Sequence, residues 1–166
     1  MSHIKVSVTQ PIDRNLSDFK DYYGGDHRSQ DHGWVNVDIA LSAARKMVHI
    51  IWDKFPNVPE DRLAFVVVDN SSSTLTAYVR LLLPESRLLT CNKYEVYRDR
   101  NLNIPEGSVL IMVDDFLCTG KSLEAANKIA RKDLDLYLCI GWSGPSSKPI
   151  IEELCRDFVC LNRDSD

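Results

Sequence analysis

The chain has 166 residues, the length of one ordinary domain, and folding at this size buries roughly 68–70% of the unfolded surface. Hydrophobic residues make up 44% and charged residues 27%, and no apolar run approaches the ~20 residues of a membrane span, so we expect a soluble protein without a membrane partner. A net charge of −4 leaves no basic footprint for bulk nucleic acid, and the first residues show no secretory signal, so we expect a cytoplasmic location.

The chain alternates between patterns typical of strands and patterns typical of helices. Residues 1–35 form an N-terminal extension, with one short strand candidate and a polar, glycine-containing stretch. A helix is predicted over residues 36–55, with Asn36 as its N-cap and with Pro56 and Pro59 after its end. Its apolar stripe, which we expect to face the sheet, comprises Val37, Leu41, Ala44, Val48, Ile51, Trp52 and Phe55.

Short apolar runs predict further strands, and helical patterns lie between most of them. The strands are residues 63–69, 86–91, 109–113, 134–140 and 158–162, and the helices are residues 76–83, 123–132 and 150–157. This alternation indicates an α/β domain over residues 36–166, built on an open, mostly parallel sheet with helices on both faces.

Residues 109–122 are the most informative stretch of the sequence. The apolar run 109–113 leads directly into Asp114 and Asp115, and a short turn then opens the next helix. In an open parallel sheet the carboxyl end of a strand is where ligands bind, and the free N–H groups of a first helical turn attract anions. Carboxylates beside such amides suit a ligand with hydroxyls and phosphate, such as a sugar phosphate with Mg²⁺.

Two further loops are candidates for the same site. The stretch after strand 63–69 is rich in hydroxyl side chains. These residues either bind a second phosphate group or form the turn and N-cap of the next helix. Residues 92–107 are long for a connection and carry basic and aromatic side chains, so they either close over an anionic substrate or form a solvated hairpin.

Known phosphate motifs narrow the interpretation of residues 109–122. The P-loop pattern requires a glycine where Asp115 stands, and no G-x-G-x-x-G fingerprint is present. The order of apolar strand, acid pair, Thr-Gly and helix instead resembles the phosphoribosyl-pyrophosphate motif of the type I phosphoribosyltransferases. The resemblance implies a homo-oligomeric, Mg²⁺-dependent enzyme whose partners are phosphoribosyl pyrophosphate and a nucleobase or nucleotide.

The resemblance also assigns roles to residues of this chain. Asp114 and Asp115 are the implied catalytic acids, which hold the ribose hydroxyls and reach Mg²⁺ through them or through water. The implied 5-phosphate site consists of Cys118, Thr119, Gly120, Lys121 and Ser122. The implied pyrophosphate loop is Asn70, Ser71, Ser72 and Ser73, and the implied mobile loop contains Lys93, Tyr94, Arg98 and Arg100. Trp142 is expected in a loop after strand 134–140, either stacking on the base or packing in the core or a lid.

Three hypotheses about function follow. The first is the phosphoribosyltransferase itself. Lys121 stands where many members have glycine, and in this the motif is similar to that of the hypoxanthine-guanine branch. The second is a non-catalytic regulator that binds phosphoribosyl pyrophosphate or a nucleotide, because residues 70–74 contain neither glycine nor a basic residue and Cys118 stands where that branch has an acid. The third is a receiver-like or flavodoxin-type phosphate domain, which accounts for the acids but leaves Thr119 to Ser122 unexplained.

Overall fold

The computed structural model describes residues 8–9, 35–68, 73–91, 104–117, 120–129, 135–143 and 147–163. The strands are β1 (Val8–Thr9), β2 (Leu63–Val68), β3 (Arg87–Cys91), β4 (Val109–Leu117), β5 (Leu136–Ser143) and β6 (Asp157–Arg163). The helices are α1 (Val37–Lys54), α2 (Ser73–Leu82), α3 (Lys121–Ile129) and α4 (Lys148–Leu154), with one turn of 3-10 helix at Glu60–Arg62. None of the described helices is long and apolar enough to cross a membrane.

The described strands form one sheet in the order β1-β6-β5-β4-β2-β3, and every neighbouring pair is parallel. β4 therefore lies inside the sheet, with β5 on one side and β2 on the other. The predicted α/β fold with helices on both faces of a parallel sheet is confirmed.

Two apolar layers cover the sheet, one on each face. Phe65 and Ile111 pack with the buried residues of α1 and α2, whereas Val66 and Met112 pack with those of α3 and α4. All six residues of β2 are buried, which explains its continuous apolar run.

The bounds of α1 agree with the prediction, and the predicted buried face is confirmed in part. Ala44 and Ile51 are buried, and Val48, Trp52 and Phe55 are partly buried against the same core. Asn36 is the N-cap, and its Oδ1 accepts a hydrogen bond from the backbone N–H of Ile39 at 3.5 Å. Val37, placed in the predicted stripe, is 49% exposed. The buried residues are Ile39, Ala40, Ala43, Ala44, Met47 and Ile51. The buried face is thus rotated around the helix axis relative to the predicted stripe, and it includes Ala40 and Ala43, whose small side chains give little apolar signal in the sequence.

Two strands extend further than their apolar runs predicted. β4 continues through the acid pair to Leu117, and β5 continues to Ser143, because the parallel ladder between them persists at Phe116↔Trp142 and Leu117↔Ser143. Trp142 is therefore a strand residue, and its predicted place in a loop is wrong. β5 also begins two residues later than predicted, and α2 begins three residues earlier, at Ser73.

Candidate active site

The acid pair lies near the carboxyl end of the inner strand β4. Asp114 and Asp115 are each 2% exposed, and the backbone N–H of Asp115 donates a hydrogen bond to Asp114 Oδ1 at 2.9 Å. Asp114 also stands opposite Ile140 in the ladder with β5. Rigid strand pairing therefore fixes the backbone that carries both carboxyl groups.

Burial and a neighbouring carboxylate both affect the pKa of Asp114. Desolvation is the main cause that raises the pKa of the Asp114 carboxyl well above its usual range. The adjacent charge of Asp115 and a side-chain hydrogen bond with it act in the same direction, while the backbone hydrogen bond from Asp115 acts in the opposite direction. A buried acid perturbed by a specific charged neighbour is the kind of group that active sites contain.

Helix α2 is joined to the same end of β4 through Thr76. This side chain is 1% exposed, and its hydroxyl donates a hydrogen bond to the Val113 carbonyl at 3.5 Å. Ser73, the first residue of α2, therefore belongs to a helix whose first turn contacts Val113, the residue before the acid pair. Sequence reasoning missed Thr76, although a hydroxyl residue one turn after a polar loop is a detectable signal.

The turn that leads into α3 requires glycine at position 120. Gly120 is buried with a φ of +78°, and its carbonyl accepts the first helical hydrogen bond from Glu124 N–H at 2.9 Å. A Cβ at Gly120 would lie 2.7 Å from Cγ2 and 2.8 Å from Cδ1 of Ile150, so a side chain has no room there. Lys121, the first helical residue, is exposed, and Ser122 is half-buried. The N–H groups of this first turn have no partners within the helix and carry the positive end of its dipole.

The predicted site residues divide into those that the structure describes and those outside it. Asp114 and Asp115 in β4 and Gly120, Lys121 and Ser122 at the start of α3 follow one another along the chain. Ser73 begins α2 and Trp142 lies in β5 opposite Phe116. The remaining predicted residues lie outside the described ranges, namely Asn70, Ser71, Ser72, Lys93, Tyr94, Arg98, Arg100, Cys118 and Thr119.

The donor chemistry of the acid pair fits Mg²⁺. The described residues contain no cluster of three or more His, Cys, Asp or Glu side chains that could hold a metal. Mg²⁺ commonly needs only one or two protein carboxylates, because water and substrate phosphates complete its octahedral shell. Two adjacent carboxyl groups therefore suit a metal that arrives with a phosphorylated ligand better than a permanent, fully protein-bound metal.

Comparison with known proteins identifies the fold. No family model matches the sequence, and no curated protein matches it. An adenine phosphoribosyltransferase structure from Saccharomyces cerevisiae superposes with a TM-score of 0.65 at 16% identity, over 87% of this chain and 96% of that one. The xanthine-guanine-hypoxanthine phosphoribosyltransferase of Helicobacter pylori has a TM-score of 0.55 at 21% identity, over 76% of this chain and 83% of that one. The chain thus has the phosphoribosyltransferase fold, as the resemblance of residues 109–122 implied.

Proposed function

We propose that this chain is a phosphoribosyltransferase, which transfers ribose 5-phosphate from phosphoribosyl pyrophosphate to a nucleobase. The observation that carries the proposal is the buried Asp114–Asp115 pair near the end of β4, followed within a few residues by the glycine turn that opens α3. The order of these groups matches the motif that the sequence resembles, and the fold is the one on which such enzymes are built. The yeast neighbour with this fold was solved with adenine bound.

The reaction determines what each group does. The bond between ribose C1 and the pyrophosphate oxygen breaks, and pyrophosphate leaves with the electron pair. A ring nitrogen of the base forms the new bond to C1, and the proton that this nitrogen carried is released to pyrophosphate or water. Positive charge develops on the sugar, so carboxylates that hold its hydroxyls stabilise the transition state. Asp114 and Asp115 have this role in the proposal.

The leaving group and the 5-phosphate need positive charge. The first-turn amides of α3, together with residues 118–122, hold the 5-phosphate, because unpaired N–H groups and the helix dipole favour an anion there. The acid pair, with ribose hydroxyls or water, would hold Mg²⁺, which when bound supplies neutralising charge to the pyrophosphate. Lys93, Arg98 and Arg100 are the proposed further cations for the leaving group.

A second candidate function follows from the composition of two loops. Residues 70–74 contain no glycine and no basic residue, and Cys118 occupies the position before Thr119 where an acid acts on the purine in one branch. A protein that retains the ribose-phosphate site but grips pyrophosphate weakly would act as a ligand-binding regulator. The two candidates share the same ligand and differ in turnover.

A direct assay separates these candidates. The full chain is incubated with phosphoribosyl pyrophosphate, Mg²⁺ and each of a panel of nucleobases, and both the nucleotide and pyrophosphate are measured. We expect nucleotide and pyrophosphate in equal amounts with at least one base. Calorimetric binding of phosphoribosyl pyrophosphate without product from any base would favour the regulator, and absence of both binding and product would remove both candidates.

A further inference from the structure

We infer that Ile150 of α4 is a positioning residue for the phosphate site, because its side chain holds the left-handed turn at Gly120 from which α3 begins. The inference rests on the proposed function, since it concerns the same phosphate site. It adds a residue that lies 28 positions beyond Ser122 and outside the motif.

The contact between the two residues is direct. Three side-chain atoms of Ile150 surround the direction in which a side chain at Gly120 would project, namely Cγ2 at 2.7 Å, Cδ1 at 2.8 Å and Cγ1 at 3.4 Å from an ideal Cβ. A Cβ at Gly120 less than 3.0 Å from Ile150 would require either the turn or the Ile150 side chain to move. Ile150 therefore fills the volume beside the turn and limits how the turn can shift.

A second glycine of the chain shows that this contact is not a general requirement of the turn. Gly107 has the same φ of +78°, yet nothing lies within 4 Å of a Cβ built there. A left-handed turn thus exists in this fold without a side chain packed against it. The packing at Gly120 is a specific feature of the start of α3.

The position of Ile150 links two neighbouring strand–helix units. Gly120 lies between β4 and α3, and Ile150 belongs to α4, which follows β5 on the same face of the sheet. The adjacent Ile151 is buried in that layer, so α4 is anchored independently of the turn. Because α4 is anchored, its Ile150 side chain can define where the first-turn amides of α3 point.

The consequence for binding is geometric. A phosphate held by first-turn amides requires those N–H groups at hydrogen-bond distance, and a shift of about 1 Å is enough to cost up to about a hundredfold in activity. Loss of the Ile150 contact is therefore expected to weaken phosphate binding more than it weakens the fold.

The test measures ribose 5-phosphate affinity by calorimetry, and unfolding by denaturant, on the full chain. Gly120→Ala is expected to weaken binding about tenfold or more, whereas the matched control Gly107→Ala, with the same φ but open space, leaves affinity unchanged. Ile150→Ala, which removes all three contacting atoms, is expected to weaken binding several-fold on its own. In the Gly120→Ala background it should instead improve binding about fivefold, because the new methyl group enters the vacated space.

Several results would overturn the inference. They are an Ile150→Ala variant that binds as the parent does, a double variant no better than Gly120→Ala, or affinity losses that simply follow lost stability. If Gly120→Ala does not fold, Ile150→Val takes its place in the comparison, since it keeps Cγ2 and should bind better than Ile150→Ala. Ile150→Val no better than Ile150→Ala would then contradict the inference.

The outcome is separable from that of the proposed function. Ribose 5-phosphate binding without transferase turnover would remove the enzyme and leave the positioning role of Ile150 intact. Normal turnover with unchanged affinity in Ile150→Ala would remove only the inference. A parent chain that does not bind ribose 5-phosphate but forms nucleotide from phosphoribosyl pyrophosphate would overturn the inference and leave the proposed function in place.

Discussion

Asp115 is the residue on which the proposed chemistry depends most directly. It is 2% exposed and interacts with Asp114 at the end of β4. Asp115→Ala is expected to lower kcat/KM for phosphoribosyl pyrophosphate about a hundredfold, the typical effect of removing one electrostatic contact to a transition state, about 3 kcal/mol. Steady-state pyrophosphate release measures the change, and the exposed Asp53, whose side chain is 72% exposed, provides the matched Asp53→Ala control. An unchanged rate in a folded Asp115→Ala protein would show that the acids do not act on the sugar.

Asp114 makes a separate prediction about stability and pH. Its pKa is raised in the folded state, so folding keeps a proton that the unfolded carboxyl loses above about pH 4. The stability that this group contributes is therefore present at low pH and is lost as the pH rises from about 4 through the folded-state pKa. Asp114→Asn, which carries no charge, is expected to be more stable than the parent at pH 8 and to show a smaller decrease in stability between pH 4 and pH 8. Denaturant unfolding in metal-free buffer over this range measures both effects.

The control for this pH dependence is Glu152→Gln, which removes an exposed carboxyl group of α4. It should leave the pH dependence of the parent's stability unchanged. An Asp114→Asn protein that is less stable than the parent throughout the range would mean that the carboxyl's hydrogen bonds outweigh its burial.

At the scale of secondary structure, an ion pair joins the end of α1 to the start of β6. The Lys54 ammonium contacts the Asp157 carboxylate, whose side chain is only 5% exposed, and lies 5.3 Å from the centre of the Tyr137 ring. Burial lowers the pKa of Lys54, because desolvation disfavours the charged form that the ion pair requires.

Removing that cation should destabilise the fold. Lys54→Met removes the ammonium, which lies over the Phe55 and Tyr137 rings, and leaves a buried carboxylate without this partner. We expect a loss of about 1–3 kcal/mol in the free energy of unfolding, below the 3–5 kcal/mol of a fully buried pair because Lys54 is 25% exposed. Urea unfolding measures it, with Lys128→Met on the exposed side of α3 as the control. Equal stability of Lys54→Met and the parent would mean that the ion pair contributes nothing net.

The strands and helices show which features a sequence can and cannot reveal. Continuous apolar runs located the buried strands, because strands covered on both faces carry no polar alternation. The apolar run placed the end of β4 too early, because Asp114 and Asp115 interrupt it. The hydrogen-bonded ladder with β5 nevertheless continues to Leu117. On α1 the predicted stripe omitted Ala40 and Ala43, because small side chains give too weak an apolar signal to mark the buried face.

The site itself was only partly predictable for a related reason. The acid pair and the glycine turn are contiguous in the chain, so a local pattern contains them. Thr76 contacts Val113, 37 residues away, and Ile150 contacts Gly120, 30 residues away. No local sequence pattern specifies which helix packs against which strand or turn. Tertiary packing is therefore the part of the site that required the structure.

Across the whole molecule, the candidate site joins the two apolar layers that cover the sheet. Thr76 brings α2 from one face to the end of β4, and the Gly120 turn brings α3 from the other face. A ligand held by the acid pair and the start of α3 would therefore lie where elements from both faces of the sheet meet. Binding at this junction should stabilise the fold as a whole.

The size of that stabilisation is predictable. Phosphoribosyl pyrophosphate with Mg²⁺ at 100 times its Kd is expected to raise the free energy of unfolding by about 2.7 kcal/mol. For a chain of this length the corresponding rise in Tm is roughly 5–11 °C, at about 2–4 °C per kcal/mol. Differential scanning calorimetry measures the shift, and Asp53→Asn should reproduce it.

The variants locate the ligand. Asp115→Asn, which preserves the shape of the side chain but not its charge, should lose most of the shift because it weakens the hold on the ribose hydroxyls. A full shift in Asp115→Asn would place the ligand elsewhere on the fold, and the buried acid pair would then be a structural feature of β4 alone. A shift that disappears in both Asp115→Asn and Gly120→Ala but persists in Gly107→Ala would instead assign the sugar to β4 and its phosphate to the start of α3.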